Sequence, residues 1–246
     1  MPLPGVSGAV GILGFKLPEG NVRPPNIGHQ TAVQFFEGLF SERHVNPGVF
    51  LGDLHGVNEI QYALQNEILP ALAKNGTKIL FLEMVRAEDQ RVLERFQRDG
   101  DSNKLGQYFK DNGWGNKGGY PDDRNGAWVD KLVNTCAVAR RLGINLFGID
   151  VGHSGRTRLE TANLAWRDTV LNTLAKYPKG VRYAVFGGCG HSGDYPQNKG
   201  VDRLLNIPSV DFAAQQEGGS INIGVGRFGV GDGRGSDYIY RIKSGS

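Results

Sequence analysis

Four short apolar runs constrain the fold of this chain more than any other feature: GVFLGD from Gly48, KILFLE from Lys78, NLFGID from Asn145 and RYAVFGG from Arg182. Each is almost continuously hydrophobic, as strands covered on both faces are, and amphipathic segments with apolar residues spaced by three and four lie between them. Strands alternating with helices predict an α/β fold with a mainly parallel central sheet flanked by helices. The predicted helices are His29 to Ser41, Val57 to Lys74 (bent at Pro70 and stopped by Asn75-Gly76), Arg86 to Arg98, Trp128 to Leu142, Arg158 to Lys176, and a short one in GVDRLL. SVDFAA and DYIYRIK are read as further strands. The polar, Gly-rich stretch from Asp99 to Asn125 predicts an irregular insertion beside the site. Pro and Gly in residues 1–26 predict a flexible leader ahead of a single domain over residues 27–246.

A chain of 246 residues can bury a sizeable core in one domain. The formal net charge of +3 is small and spread along the chain, which argues against nucleic acid or an anionic membrane as partner. Two cysteines, Cys136 and Cys189, imply no disulfide framework. No stretch is long and apolar enough to span a bilayer. The N-terminal segment lacks a basic region ahead of its apolar part, so it does not read as a Sec signal. The expectation is a cytoplasmic location or export by a non-Sec route.

The strand endings carry the chemistry: LGDLH, FLEMV, FGIDVGHS and FGGCGHSG each finish an apolar run in polar groups. Ligands of open α/β sheets bind outside the carboxyl ends of the strands. Asp53, His55, Glu83, Asp150, His153 and His191 are therefore expected at one edge. Imidazoles suit general acid–base work because they titrate near neutral pH. Asp53-Leu54-His55-Gly56 also matches the Asp-x-His-Gly of metallophosphoesterases. That chemistry needs a second Gly-Asp segment and an Asn-His pair to hold two metals, and this chain has no Asn-His dipeptide.

Taken in order, Gly52-Asp53-Leu54-His55, Phe81-Leu82-Glu83 and Gly188-Cys189-Gly190-His191 resemble the motifs of the Tiki/ChaN/erythromycin-esterase superfamily. KNGTKILFLEMVRAEDQRVLERF, ARRLGINLFGID and RLETANLAW are also similar to ChaN-like domains, and the likeness runs from about Pro47 to Phe212. A chain of this size and leader resembles a type III effector of plant-pathogenic bacteria. The resemblance implies a ChaN/erythromycin-esterase-like fold and a hydrolase of esterase or protease type, delivered into a host cell as a virulence factor. His55 and His191 would be the paired imidazoles, one of them the general base, with Glu83 orienting a histidine or activating water. Arg158 would meet an anionic or developing oxyanion group, Asp150 would position Arg158 or a histidine, and Asn163 would support the network. The family usually has Glu where Asp53 stands, a reach shorter here by about 1.5 Å. Metal-free hydrolysis leads the cofactor expectations; a divalent ion on His55, Glu83 and His191 comes second, and haem is the ChaN-type alternative. A small-molecule or peptide substrate is the expected partner. The alternatives are a non-catalytic haem or ligand binder, and a pseudoenzyme recognised by a host protein.

Other chemistry-bearing residues read more simply as structural. Cys189, two residues before His191, is either a nucleophile or a packing residue, and packing is expected because positions so close in sequence rarely give the needed geometry; Cys136 is expected in the core. His153 would be near the site or exposed, and His29 and His44 exposed. Gly224 to Gly229 matches G-x-G-x-x-G without a following helix, so it reads as a turn. Trp114 and Tyr120 would line a pocket or pin the long loop.

Overall fold

The computed structural model describes residues 31–41, 47–114, 127–152, 158–195, 198–214, 222–223, 227–230, 236–242 and 244–245. The expected leader, His29, His44, Tyr120 and His153 lie outside the described residues; of the turn expected over Gly224 to Gly229, residues 224–226 lie outside them too, and from Arg227 the chain is a strand that pairs in the sheet. In chain order the elements are α1 (Ala32–Ser41), β1 (Gly48–Asp53), α2 (Asn58–Ala63), a π turn (Leu64–Ile68), α3 (Leu69–Lys74), β2 (Thr77–Arg86), a 3-10 turn (Ala87–Asp89), α4 (Gln90–Asp99), α5 (Ser102–Asp111) and α6 (Ala127–Arg141). They continue with β3 (Asn145–Asp150), α7 (Arg158–Leu174), β4 (Arg182–Gly188), a 3-10 turn (Cys189–His191), β5 (Asp194–Tyr195), β6 (Asn198–Lys199), α8 (Val201–Leu205), β7 (Ser209–Ala214), β8 (Asn222–Ile223), β9 (Arg227–Val230), β10 (Tyr238–Ile242) and β11 (Ser244–Gly245).

Seven strands form the central sheet in the order β3-β2-β4-β1-β7-β10-β9. All neighbours run parallel except β9 against β10. Helices cover both faces, and alternation along each strand divides the core. Val49, Leu51, Leu80, Leu82, Ala184 and Phe186 pack with α1 to α6, while Phe50, Ile79, Phe81, Tyr183 and Val185 pack with α7 and α8. The period of two that buries a strand on both sides accounts for the unbroken apolar runs. The expected α/β architecture is present, and β1, β2 and β4, which carry the three histidine and glutamate motifs, are direct neighbours at its centre.

Three local features have physical causes. Pro70, expected to bend a helix, follows a π turn into which the helix widens just before it. Proline removes an N–H and crowds the carbonyl four residues back, and one wider turn relieves both. The strand expected to end at Glu83 runs on to Arg86, and the helix expected from Arg86 begins at Gln90. The expected irregular insertion contains α5: Asp101 caps it by accepting from the Lys104 N–H, and Leu105 and Phe109, one turn apart, bury its inner side. Its remaining face is polar, which conceals the period in the sequence.

The open side of the edge strand β3 is covered by two side chains of α4. Gln97 accepts from the Leu146 N–H at 2.7 Å and donates to the Leu146 carbonyl at 3.3 Å. Gln90 accepts from the Gly148 N–H at 2.9 Å and donates to the Leu146 carbonyl at 3.1 Å. Their amides stand in for a neighbouring strand and block pairing at that edge.

Candidate active site

The strand ends of β1 and β2 bring their polar residues to β4, which lies between them. Asp53 pairs in register with Gly188 at the carboxyl end of the sheet. His55 follows Asp53 by one turn, and its ring reaches back: Nδ1 lies 3.1 Å from Asp53 Oδ2 and Nε2 lies 3.3 Å from Glu83 Oε2. The Gly188 N–H donates to the same Glu83 oxygen at 2.6 Å. The other carboxylate oxygen, Oε1, lies 3.7 Å from His191 Nε2. Beyond it, His191 Nδ1 is 2.6 Å from Asn163 Oδ1 on α7. Asp53, His55, Glu83, His191 and Asn163 thus form one continuous polar chain across the end of the sheet.

Glycine makes this chain possible. A Cβ at Gly188 would stand 2.9 Å from His55 Nε2 and 3.5 Å from Glu83 Oε2, and one at Gly187 would stand 3.1 Å from Glu83 Oε2 and 3.0 Å from the Trp166 ring. At Gly52 a Cβ would overlap the Asp211 carboxylate. The glycines in GD and FGG are notches over which side chains from adjacent strands meet.

Aromatic rings flank both histidines. Trp166, one turn beyond Asn163 on α7, stacks on His191 with ring centroids 4.1 Å apart and planes at 25°. Trp114 meets His55 at 5.2 Å and 81°, and Trp128 lies 6.1 Å away on the same side. These tryptophans hold the imidazoles in place and remove water around them. Trp114, expected to line a pocket or pin a loop, is buried against His55.

Removal from water sets the protonation pattern. Burial opposes a charge on His55, but hydrogen bonds to Asp53 and Glu83 and the charges of those carboxylates outweigh it. Its pKa is raised from 6.5 to about 10. Glu83 loses water too, yet the hydrogen bond and charge of His55, the His191 imidazole and the Gly188 N–H lower its pKa from 4.5 to about 2. Asp53 is held above its ordinary value by burial, which its bond to His55 offsets only in part. The arrangement therefore favours an imidazolium at His55 beside an ionised Glu83. The two carboxylates hold the proton on His55, which does not suit it to the part of a neutral base.

The tautomer of His191 follows from donor logic. Asn163 Nδ2 donates to the Lys199 carbonyl at 2.9 Å, so its oxygen faces His191 and must accept from Nδ1–H. Nε2, directed toward Glu83, is then the nitrogen that exchanges a proton.

Asp53, His55, Glu83, His191 and Asn163 stand where the sequence places them, and Asp53, though shorter than Glu, still reaches His55. No described hydrogen bond or ion pair ties Asp150 to either histidine, and its expected pairing with Arg158, at the start of α7, falls on a side chain outside the described residues. Asp150 ends the edge strand β3 and pairs in register with Arg86, beyond Glu83. Among the described residues no group of His, Cys, Asp and Glu is spaced to hold a metal ion. Both nitrogens of His55 face carboxylates at hydrogen-bonding distance, an arrangement suited to protons. Cys189 is no thiolate: burial, then the Asp211 and Asp53 charges, push its thiol pKa up. Cys136 is buried in the core as expected.

Sequence reasoning missed Asp211, which lies against Gly52 and accepts from Ser192 Oγ at 3.1 Å. Its position at the inner end of the SVDFAA strand was the available signal. Trp128 and Trp166 gave none, since a tryptophan on a helix reads as core.

No family model matches the chain. The type III effector protein HopBA1 of Pseudomonas syringae pv. aptata is 28% identical over 186 residues, 71% of this chain and 71% of that protein. The solved structure of HopBA1 superimposes with a TM-score of 0.65 at 20% identity, over 93% of this chain and 99% of the other. A crystal structure of bacterial protein toxins aligns with a TM-score of 0.53 at 17% identity, over 88% of this chain and 39% of the toxin chain. ChaN of Campylobacter jejuni, solved with cofacially bound haem, gives a TM-score of 0.48 at 14% identity over 85% of this chain and 92% of its own, a likeness too slight to argue from. The chain is thus similar in sequence to the type III effector HopBA1 and shares its α/β fold.

Proposed function

We propose that this chain is a type III effector, delivered into a host cell by a non-Sec route, and that it hydrolyses an ester or amide bond there with His191 as general base. The polar chain from Asp53 to Asn163 carries this reading. A buried carboxylate between an imidazolium and a second, oriented imidazole is costly to assemble, and hydrolysis uses every part of it. Water bound beside His191 Nε2 and Glu83 Oε1 would give its proton to Nε2 as its oxygen attacks the carbonyl carbon. Glu83 stabilises the imidazolium that forms on His191, as a carboxylate beside a catalytic histidine does. His55 and Asp53 keep Glu83 ionised and fixed. On collapse of the tetrahedral intermediate, His191 returns the proton to the leaving group. Arg158, at the start of α7, is proposed to meet substrate charge.

The haem-binding alternative is the weaker one. Iron ligation needs an imidazole nitrogen turned outward, and His55 has both nitrogens on carboxylates while His191 has one on Asn163 and the other toward Glu83. The test is hydrolysis of a panel of aryl esters, lactones and aryl amides by the full chain, beside the host response when it is expressed in leaf tissue. His191→Ala is expected to lower both by about 100-fold or more. A folded His191→Ala chain that matches wild type in both would end the hydrolase reading and leave recognition by a host protein.

A further inference from the structure

We infer that Asp202 is a positioning residue, holding the loop that fixes the tautomer of His191; the use of that tautomer rests on the hydrolase reading above, but the positioning does not. The tautomer depends on the Lys199 carbonyl, because that oxygen decides which end of the Asn163 amide faces His191. Lys199 is held from the far end of its loop. The Gly200 N–H donates to the Gly193 carbonyl at 2.7 Å, and the Gly193 N–H donates to Asp202 Oδ1 at 2.9 Å. Asp202 is itself fixed by the Ile207 N–H, which donates to its carbonyl at 2.9 Å. Position 200 must be glycine, since a Cβ there would overlap Asp202 Oδ1, the Gly193 nitrogen and the Ser192 carbonyl carbon. The loop therefore leaves His191, closes on itself through Gly193 and Gly200, and returns a carbonyl to the residue that orients His191.

The choice of residue is the telling part. Asp202 has no exposed surface, and its second oxygen, Oδ2, pairs with Arg203 Nε at 3.7 Å. A carboxylate with no exposed surface is costly to bury even with Gly193, Arg203 and Ser209 around it, and an apolar residue would fill the space with less penalty. What an apolar residue cannot do is accept from Gly193, two positions beyond His191.

Two-bond proton–nitrogen correlation spectra of the full chain, labelled with nitrogen-15, read the tautomer directly. In the wild type His191 is expected as the Nδ1–H form. Asp202→Ala is expected to mix the tautomers, shift the Asn163 side-chain amide, and lower ester hydrolysis or the host response about tenfold or more. Asp202→Asn, whose oxygen can still accept from Gly193, is expected to restore both. A folded Asp202→Ala chain with the wild-type tautomer and Asn163 shifts overturns the inference. If that variant does not fold, the wild type decides: the Gly193 amide is expected to be strongly protected in hydrogen exchange, and exchange at the unprotected rate overturns the inference equally. A tautomer that moves with Asp202 in a chain showing no hydrolysis at all supports the positioning role and counts against the hydrolase instead.

Discussion

The imidazolium of His55 predicts an unusual alkaline weakness in stability. Its pKa is raised from 6.5 to about 10 on folding, so the folded state binds its proton more tightly than the unfolded chain. Stability from this source is complete below about pH 6.5 and drains away as pH rises toward 10, at about 1.4 kcal/mol per pH unit. Between pH 6.5 and 9 the loss is about 3 kcal/mol, which for a domain of this size lowers Tm by roughly 6–12 °C. Glu83, lowered from 4.5 to about 2, works in the opposite direction: its contribution is present above pH 4.5 and is lost as pH falls through 2. Both shifts describe one ion pair and do not add. Maximum stability is therefore expected between about pH 4.5 and 6.5. Urea denaturation at steps from pH 5 to 9, for wild type and for His55→Gln, isolates the effect, because the glutamine cannot titrate. The two curves should converge as pH rises. Parallel curves, with the difference unchanged from pH 6.5 to 9, would refute the charged imidazole and restore His55 as a candidate base.

Gly188→Ala puts a methyl 2.9 Å from His55 Nε2; thermal melts should show about 1–3 kcal/mol of destabilisation, and activity should vanish even where the fold survives. Replacing Gln90 and Gln97 together by Ala uncovers the β3 edge, and light scattering should show self-association that grows with concentration. Cys189→Ser should leave activity within about twofold of wild type, since a thiol held protonated contributes no nucleophile; loss of activity there would put the thiol back into the mechanism.

The sequence shows the frame and most of the polar chain. Strands buried on both faces leave unbroken apolar runs, and the residue that ends each run must stand at the carboxyl edge, so Asp53, His55, Glu83 and His191 were legible as a group. Asn163 was legible only through the resemblance. The protonation states were not, because they depend on distances between strands that are neighbours in space and far apart in the chain. Glu83 lies 105 positions before Gly188, and nothing local to either shows that a backbone N–H will meet the carboxylate. Asp150 ends an apolar run as the others do, but strand order puts β3 at the edge of the sheet, away from the two histidines' strands. The α5 helix was hidden because only Leu105 and Phe109 mark its buried side, and Asp202 because a buried acid has no signature in a surface-like GVDRLL.

The central claim is that His55, Glu83 and His191 act as one unit, and a double-mutant cycle on His55→Ala and His191→Ala, read as hydrolysis or host response with folding checked by circular dichroism, tests it most directly. Each single variant is expected to lose nearly all the activity that the double variant loses, with losses of about 100-fold or more that do not multiply. Losses that multiply, or a folded single variant with full activity, would contradict the account.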